Sequence, residues 1–151
     1  MAVFRYSMQS ILDIKLKMET QAKQEFAAAK NRLDEEEKRL AEFLARKEAY
    51  EEEARKLLTG ILKVRDIEDN KNAILMMEQY IAEQKKRVKR AADQVEKARQ
   101  KLADVMKERK MQETLREKAF ESFLEEEKRQ EGKAVDELTS YTYSQQRQVN
   151  G

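Results

Sequence analysis

The sequence predicts an all-α fold: a long two-helix antiparallel coiled-coil hairpin, rod-like in form. Three observations carry that expectation. The composition is that of helices, the residues that punctuate turns are nearly missing, and apolar residues recur at alternating steps of three and four in two stretches. Charged residues make up 41% of the 151 positions and hydrophobic residues 40%, whereas an ordinary globular domain carries about 25% charge. Ala, Glu, Lys, Leu, Arg and Gln dominate, and these are strong helix formers. Pro is absent and Gly occurs three times, so the chain has little with which to build turns.

The first helix is expected over about residues 4–58. Its heptad stripe runs Phe26, Ala29, Leu33, Glu36, Leu40, Phe43, Lys47, Tyr50, Ala54 and Leu57, and reaches Ile61 and Val64. Only Glu36 and Lys47 break it. Upstream, Phe4, Met8, Ile11, Ile14 or Lys15, and Met18 lie on a compatible face. The steps from Met18 to Ala22 to Phe26 are four and four, a stutter that locally unwinds a supercoil.

A connector is expected over about 59–72. Gly60 is the one Gly before residue 132, and Asp66, Asp69, Asn70 and Asn72 favour turns and helix caps. Asn70 or Asn72 would cap the second helix. Ile61, Leu62, Val64 and Ile67 make the connector apolar, as for a short helix folded over the hairpin tip. The second helix is expected over about 73–135. Its stripe is Ile74, Met77, Ile81, Gln84, Val88, Ala91, Val95, Ala98, Leu102 and Val105. Beyond Val105 the register loosens, and Leu115, Ala119, Phe120, Phe123 and Leu124 carry the apolar signal. The hairpin would thus fill residues 1–138, with arms of about 55 residues or roughly 80 Å. Residues 139–151 have little heptad content and read as a flexible tail.

The same composition bounds the chemistry. With no Cys and no His there are no thiolate nucleophiles, imidazole bases or usual zinc ligands. The acidic runs 34–37 and 51–53 are consecutive, so on a helix they fan out about 100° apart and form a solvated face, not a metal site. No catalytic, cofactor-binding or metal-binding residue is expected, and no Gly-x-x-x-x-Gly-Lys phosphate loop occurs. The net charge of +2 argues against a polyanion binder, so no nucleic-acid partner is expected. No stretch of roughly 18 apolar residues exists, so no membrane insertion is expected. The segment 1–6 lacks a secretory layout, which makes the cytoplasm the expected address.

Function is then sought in protein contacts. Phe4, Tyr6, Met8 and Ile11, with Leu12 and Ile14, would meet Phe120, Phe123 and Leu124 at the open end. That aromatic end either packs locally or inserts into a partner. Leu75, Met76 and Tyr80 fall off the main stripe near the turn. They either pack under the connector or form a second partner surface. Lys85, Lys86, Arg87, Lys89 and Arg90 form a basic cluster without interleaved aromatics, which fits a solvated face or an acidic protein better than nucleic acid. Glu36, Lys47 and Gln84 inside the stripes are expected to fix register, and either to pair across the hairpin or to keep the rod from oligomerising.

The opening run Phe4-Arg-Tyr-Ser-Met-Gln-Ser-Ile-Leu-Asp-Ile-Lys15 resembles that of the FliJ family of flagellar type III export proteins. The segments Lys107-Glu-Arg-Lys, Leu115-Arg-Glu-Lys118, Phe123 and Asp136-Glu137 are similar to the family's closing pattern. The resemblance implies a stalk-like coiled coil whose terminal end enters the hexameric flagellar export ATPase and stimulates it. It also implies contacts with the cytoplasmic domain of the membrane export gate and with export chaperones, in the cytoplasm at the flagellar base and peripheral to the cell membrane. Gate contacts would fall around Ala73, Met77, Tyr80 and Gln84, with Met76 beside them. Met77 is also a core candidate. The alternative is a self-associating structural scaffold.

Overall fold

The computed structural model describes residues 2–150. Residues 1 and 151, the outer limits of the expected hairpin and tail, lie outside it. Among the described residues there are two helices and no strand: α1, Gln9–Leu57, and α2, Val64–Asn150. They form the expected antiparallel coiled-coil hairpin. As the partner on α1 advances from Glu25 to Glu36, Lys47 and Tyr50, its mate on α2 retreats from Lys101 to Gln84, Glu78 and Asn70.

Two compact units divide this architecture. One comprises residues 20–104 and the other residues 2–19 with 105–150. In the first, the predicted stripes form the seam. Every α1 position from Phe26 to Leu57 on the heptad list is half-buried, and Met77, Ile81, Gln84 and Ala91 of α2 are buried. The polar members of the seam are paired across it. Gln84 Nε2 donates to the Glu36 carbonyl at 2.9 Å and also to the Glu36 carboxylate. Lys47 reaches Glu78 at 3.5 Å. Among the described residues no buried side-chain polar atom lacks a partner, as burial in an apolar seam demands.

The helix limits differ from the sequence expectation in three places. α1 starts at Gln9 rather than near residue 4, because the segment before it is spent carrying Phe4 onto the α2 rings of Phe120 and Phe123. α2 starts at Val64 rather than near residue 73. The carboxylate of Asp66 lies in its first turn, where it complements the helix dipole. Asn70 is consequently interior and caps nothing. It is 8% exposed and its Nδ2 donates to the Tyr50 carbonyl at 2.9 Å. Finally, residues 139–150, expected as a tail, continue α2. No Pro interrupts the run, and Gly132 costs only about 1 kcal/mol relative to Ala.

The connector is correspondingly short. Gly60 turns the chain with φ at 86°, a conformation that side chains bearing Cβ resist. Thr59 closes the end of α1 through its N–H and its hydroxyl, both donating to the Lys56 carbonyl at 3.1 and 2.8 Å. The expected apolar cover over the tip does not form. Ile61, Leu62 and Val64 stand 89%, 58% and 68% exposed.

Candidate functional site

The unit of residues 2–19 and 105–150 holds the aromatic end. Phe4 packs edge-on against Phe120, with ring centroids 5.1 Å apart, and tilts against Phe123 at 5.4 Å. The Arg116 guanidinium covers the Phe4 ring at 5.7 Å, and its Nε donates to Gln9 at 3.1 Å. Tyr6 donates its hydroxyl proton to Gln112 Oε1 at 2.9 Å. Phe4, Tyr6 and Phe123 are half-buried, whereas Met8, Ile11, Phe120 and Leu124 are exposed. The structure therefore brings Phe4, Phe120 and Phe123 together, buries Leu12, and leaves Met8, Ile11, Ile14 and Leu124 on the outside.

The α1 seam in this unit is not the expected one. It runs through Leu12, Lys15 and Glu19, with Leu12 and Glu19 buried, while Ile11, Ile14 and Met18 face out. Steps of three and four continue unbroken from Leu12 to Phe26, so there is no stutter at Met18. The register of α2 does not loosen either. It passes from Val105 through Arg109, Gln112, Arg116 and Ala119 to Phe123.

The physical reason is that ion pairs occupy seam positions. Arg109 Nε and Nη2 donate to the two Glu19 carboxylate oxygens at 2.7 and 3.3 Å, and Nη1 donates to Glu113 at 2.9 Å. This is the bidentate geometry in which Arg and carboxylate bind most strongly. The carboxylates, Glu19 first and then Glu113, hold the Arg109 guanidinium above its ordinary value, so it stays charged. Lys15 meets Glu108 at 2.7 Å beside it. Sequence reading missed Glu19, Arg109 and Gln112. The signal that finds them is strict heptad counting outward from Phe26 and Val105, without regard to polarity.

On the other predicted surface, Met76 and Tyr80 are 52% and 48% exposed. Tyr80 leans on Phe43 with centroids 6.0 Å apart. Ala73 is half-buried. Met77 and Gln84 are 5% and 3% exposed and belong to the seam, so the outward part of this group is Met76 and Tyr80 with Leu75. The basic residues Lys85, Lys86, Arg87, Lys89 and Arg90 are exposed on α2. Among the described residues no group of three or more acidic side chains is gathered to hold a metal ion. No helix is long and apolar enough to cross a membrane.

Two comparisons with known proteins agree with this architecture. The structure is similar to that of a protein from Chlamydia trachomatis described as a YscO homolog. The TM-score is 0.68 at 21% identity, covering 97% of this chain and 99% of that one; at that identity the likeness is one of fold. No curated protein sequence is significantly similar to the chain. The family described as flagellar FliJ protein matches residues 4–148, nearly the whole length, and the chain belongs to that family of flagellar type III export components.

Proposed function

We propose that the chain is a non-enzymatic, stalk-like element of the flagellar export machinery that binds and stimulates the hexameric export ATPase through its terminal unit. The observation that carries this reading is an inversion of the usual pattern. In the unit of residues 2–19 and 105–150, charged and polar pairs share the seam with Leu12 and Val105, while Ile14, Leu16, Met18, Met111, Leu115 and Phe120 stand 37–65% exposed. Apolar surface left outside a polar seam is surface held for a partner. The Phe4, Phe120 and Phe123 rings supply the kind of rigid aromatic anchor that dominates binding energy at interfaces.

The second contact is with the cytoplasmic domain of the export gate, through Met76 and Tyr80, and export chaperones use the same outer region. The protein then works in the cytoplasm at the flagellar base, peripheral to the cell membrane by way of the gate. Catalysis belongs to the ATPase. The stalk alters turnover only by contacting different nucleotide states of the ring with different affinity.

The test adds the full-length protein to the cognate ATPase and measures hexamer formation and ATP turnover. Stimulation is expected. Phe4→Ala with Tyr6→Ala should raise the half-maximal concentration on the order of tenfold while leaving helicity unchanged by circular dichroism. An ATPase that is active yet indifferent to the full-length chain overturns the reading. A self-associating scaffold is supported by one observation: Val135, Leu138 and Val149 keep heptad spacing on an exposed face of α2. Sedimentation as a monomer at assay concentration removes it.

A further inference from the structure

The tip of the hairpin carries a feature that the export reading does not use. From Arg55 to Arg65 the chain reads Arg-Lys-Leu-Leu-Thr-Gly-Ile-Leu-Lys-Val-Arg, with basic residues at 55, 56, 63 and 65 and no acidic residue. Between those cations Leu58, Ile61, Leu62 and Val64 are 66%, 89%, 58% and 68% exposed. Large aliphatic side chains this open, on a turn held by Gly60, contribute little to the stability of the hairpin.

We propose that this tip docks shallowly on an anionic lipid bilayer, its aliphatic side chains entering the headgroup boundary and its lysines and arginines facing lipid phosphate. The two parts match what interfacial binding requires, apolar area together with basic charge, since either alone is marginal. The shape agrees. Ile61 and Leu62 are open on the turn, and a deformable lipid surface accommodates them without any preformed groove. A second copy of the tip is disfavoured by its own positive charge.

The acidic residues behind the tip set its depth. On the α1 side Glu53 precedes Leu58 by five positions, about 7.5 Å at 1.5 Å per residue, and on the α2 side Asp66 follows Val64 by two, about 3 Å. Docking is therefore at the shallow end of the roughly 5–10 Å to which interfacial apolar faces sink. Sinking further, Glu51–Glu53 on α1 with Asp66, Glu68 and Asp69 on α2 would meet lipid phosphate of like sign. Arg55 is partly committed to Glu52, with bonds of 3.1 and 2.6 Å, so Lys56, Lys63 and Arg65 are the main headgroup contacts.

The sequence contains no Trp, so Ile61→Trp in the full-length chain places a lone indole at the tip, at a position where nothing else packs. Its emission is followed against vesicles of phosphatidylcholine alone and of phosphatidylcholine with phosphatidylglycerol. A blue shift is expected on the anionic vesicles, with partitioning at least about tenfold stronger than on the neutral ones. High salt should reverse it. Lys56→Gln and Lys63→Gln should each weaken it about fivefold. In co-sedimentation without the Trp, Ile61→Ser with Leu62→Ser should release the protein from the same vesicles.

No shift on either vesicle, an equal shift on both, or undiminished sedimentation of the Ser variant overturns the proposal. A shift produced by polyglutamate and not by vesicles also overturns it, and assigns the tip to an acidic protein. Vesicles alone are used, so failure here leaves the ATPase reading standing.

Discussion

Met77→Ala should act mainly on stability and Tyr80→Ala mainly on partner binding, although the two residues lie three apart on one helix. Met77 is 5% exposed in the seam of the unit of residues 20–104. Burying a Met side chain contributes about 1.5–3 kcal/mol. Truncation in a thin two-helix seam leaves a gap that neighbours and water can fill, which keeps the cavity penalty at the low end of the Met→Ala range of about 2–5 kcal/mol. The expected loss is therefore about 2–3 kcal/mol. At 1.4 kcal/mol per factor of ten, amide protection around residues 74–88 should fall about thirty- to one-hundred-fold. Tyr80 is 48% exposed, and its principal contact is the tilted Phe43 ring 6.0 Å away. Its truncation should cost about 1 kcal/mol or less yet weaken binding of the export gate's cytoplasmic domain. Hydrogen exchange measures the first effect and titration against the gate domain the second. If Tyr80→Ala unfolds the region as much as Met77→Ala, or if Met77→Ala leaves protection unchanged, the division into seam and docking residues is wrong.

Other perturbations probe the remaining contacts. Gly60→Ala should cost about 1–2 kcal/mol from backbone strain alone, because φ is 86° and no atom lies within 4 Å of an added Cβ; the urea midpoint should drop with an unchanged m-value. Tyr6→Phe removes the 2.9 Å bond to Gln112 and should cost about 0.5–1.5 kcal/mol, read in the same denaturation. Gln84→Leu with Glu36→Leu should stabilise the seam but admit dimers in sedimentation, since polar seam residues specify register and oligomeric state. Hydrogen bonds from Arg55 and Arg99 hold the carboxyls of Glu52 and Glu96 below the ordinary 4.5. A carboxyl whose folded-state value is lowered contributes stability above its unfolded value and loses it as pH falls through the folded one. Carboxyl NMR titration should therefore place both midpoints below 4.5, and Arg55→Gln should move Glu52 back up.

Much of the fold was legible because one physical rule governs it. In residues 20–104, counting by three and four from Phe26 and from Ile74 finds the seam that the structure contains, including Glu36, Lys47 and Gln84. The turn was harder to place. Asn70 looks like a cap, but only the facing helix reveals that the Tyr50 carbonyl awaits its amide across the seam. The exposed aliphatic tip has the same origin: an apolar connector predicts burial, and nothing local states that no cover is at hand.

The terminal unit is where an apolar reading fails, and the failure is informative. Met18 outranks Glu19 as a seam residue on hydrophobicity, so a stripe drawn through apolar residues slips by one and reports a stutter. Heptad phase is set by the repeat, and the repeat tolerates charge wherever the opposite helix supplies a mate. Arg109 supplies it for Glu19, and Glu108 does so for Lys15 alongside. Once those pairs occupy the seam, Ile11, Ile14 and Met18 have no inward position left on α1. A chain selected only to close its own coiled coil would place Ile or Leu at 15 and 19 and charge at 14 and 18. The reversed assignment leaves aliphatic surface beside an aromatic anchor, the surface that the proposed ATPase contact would cover.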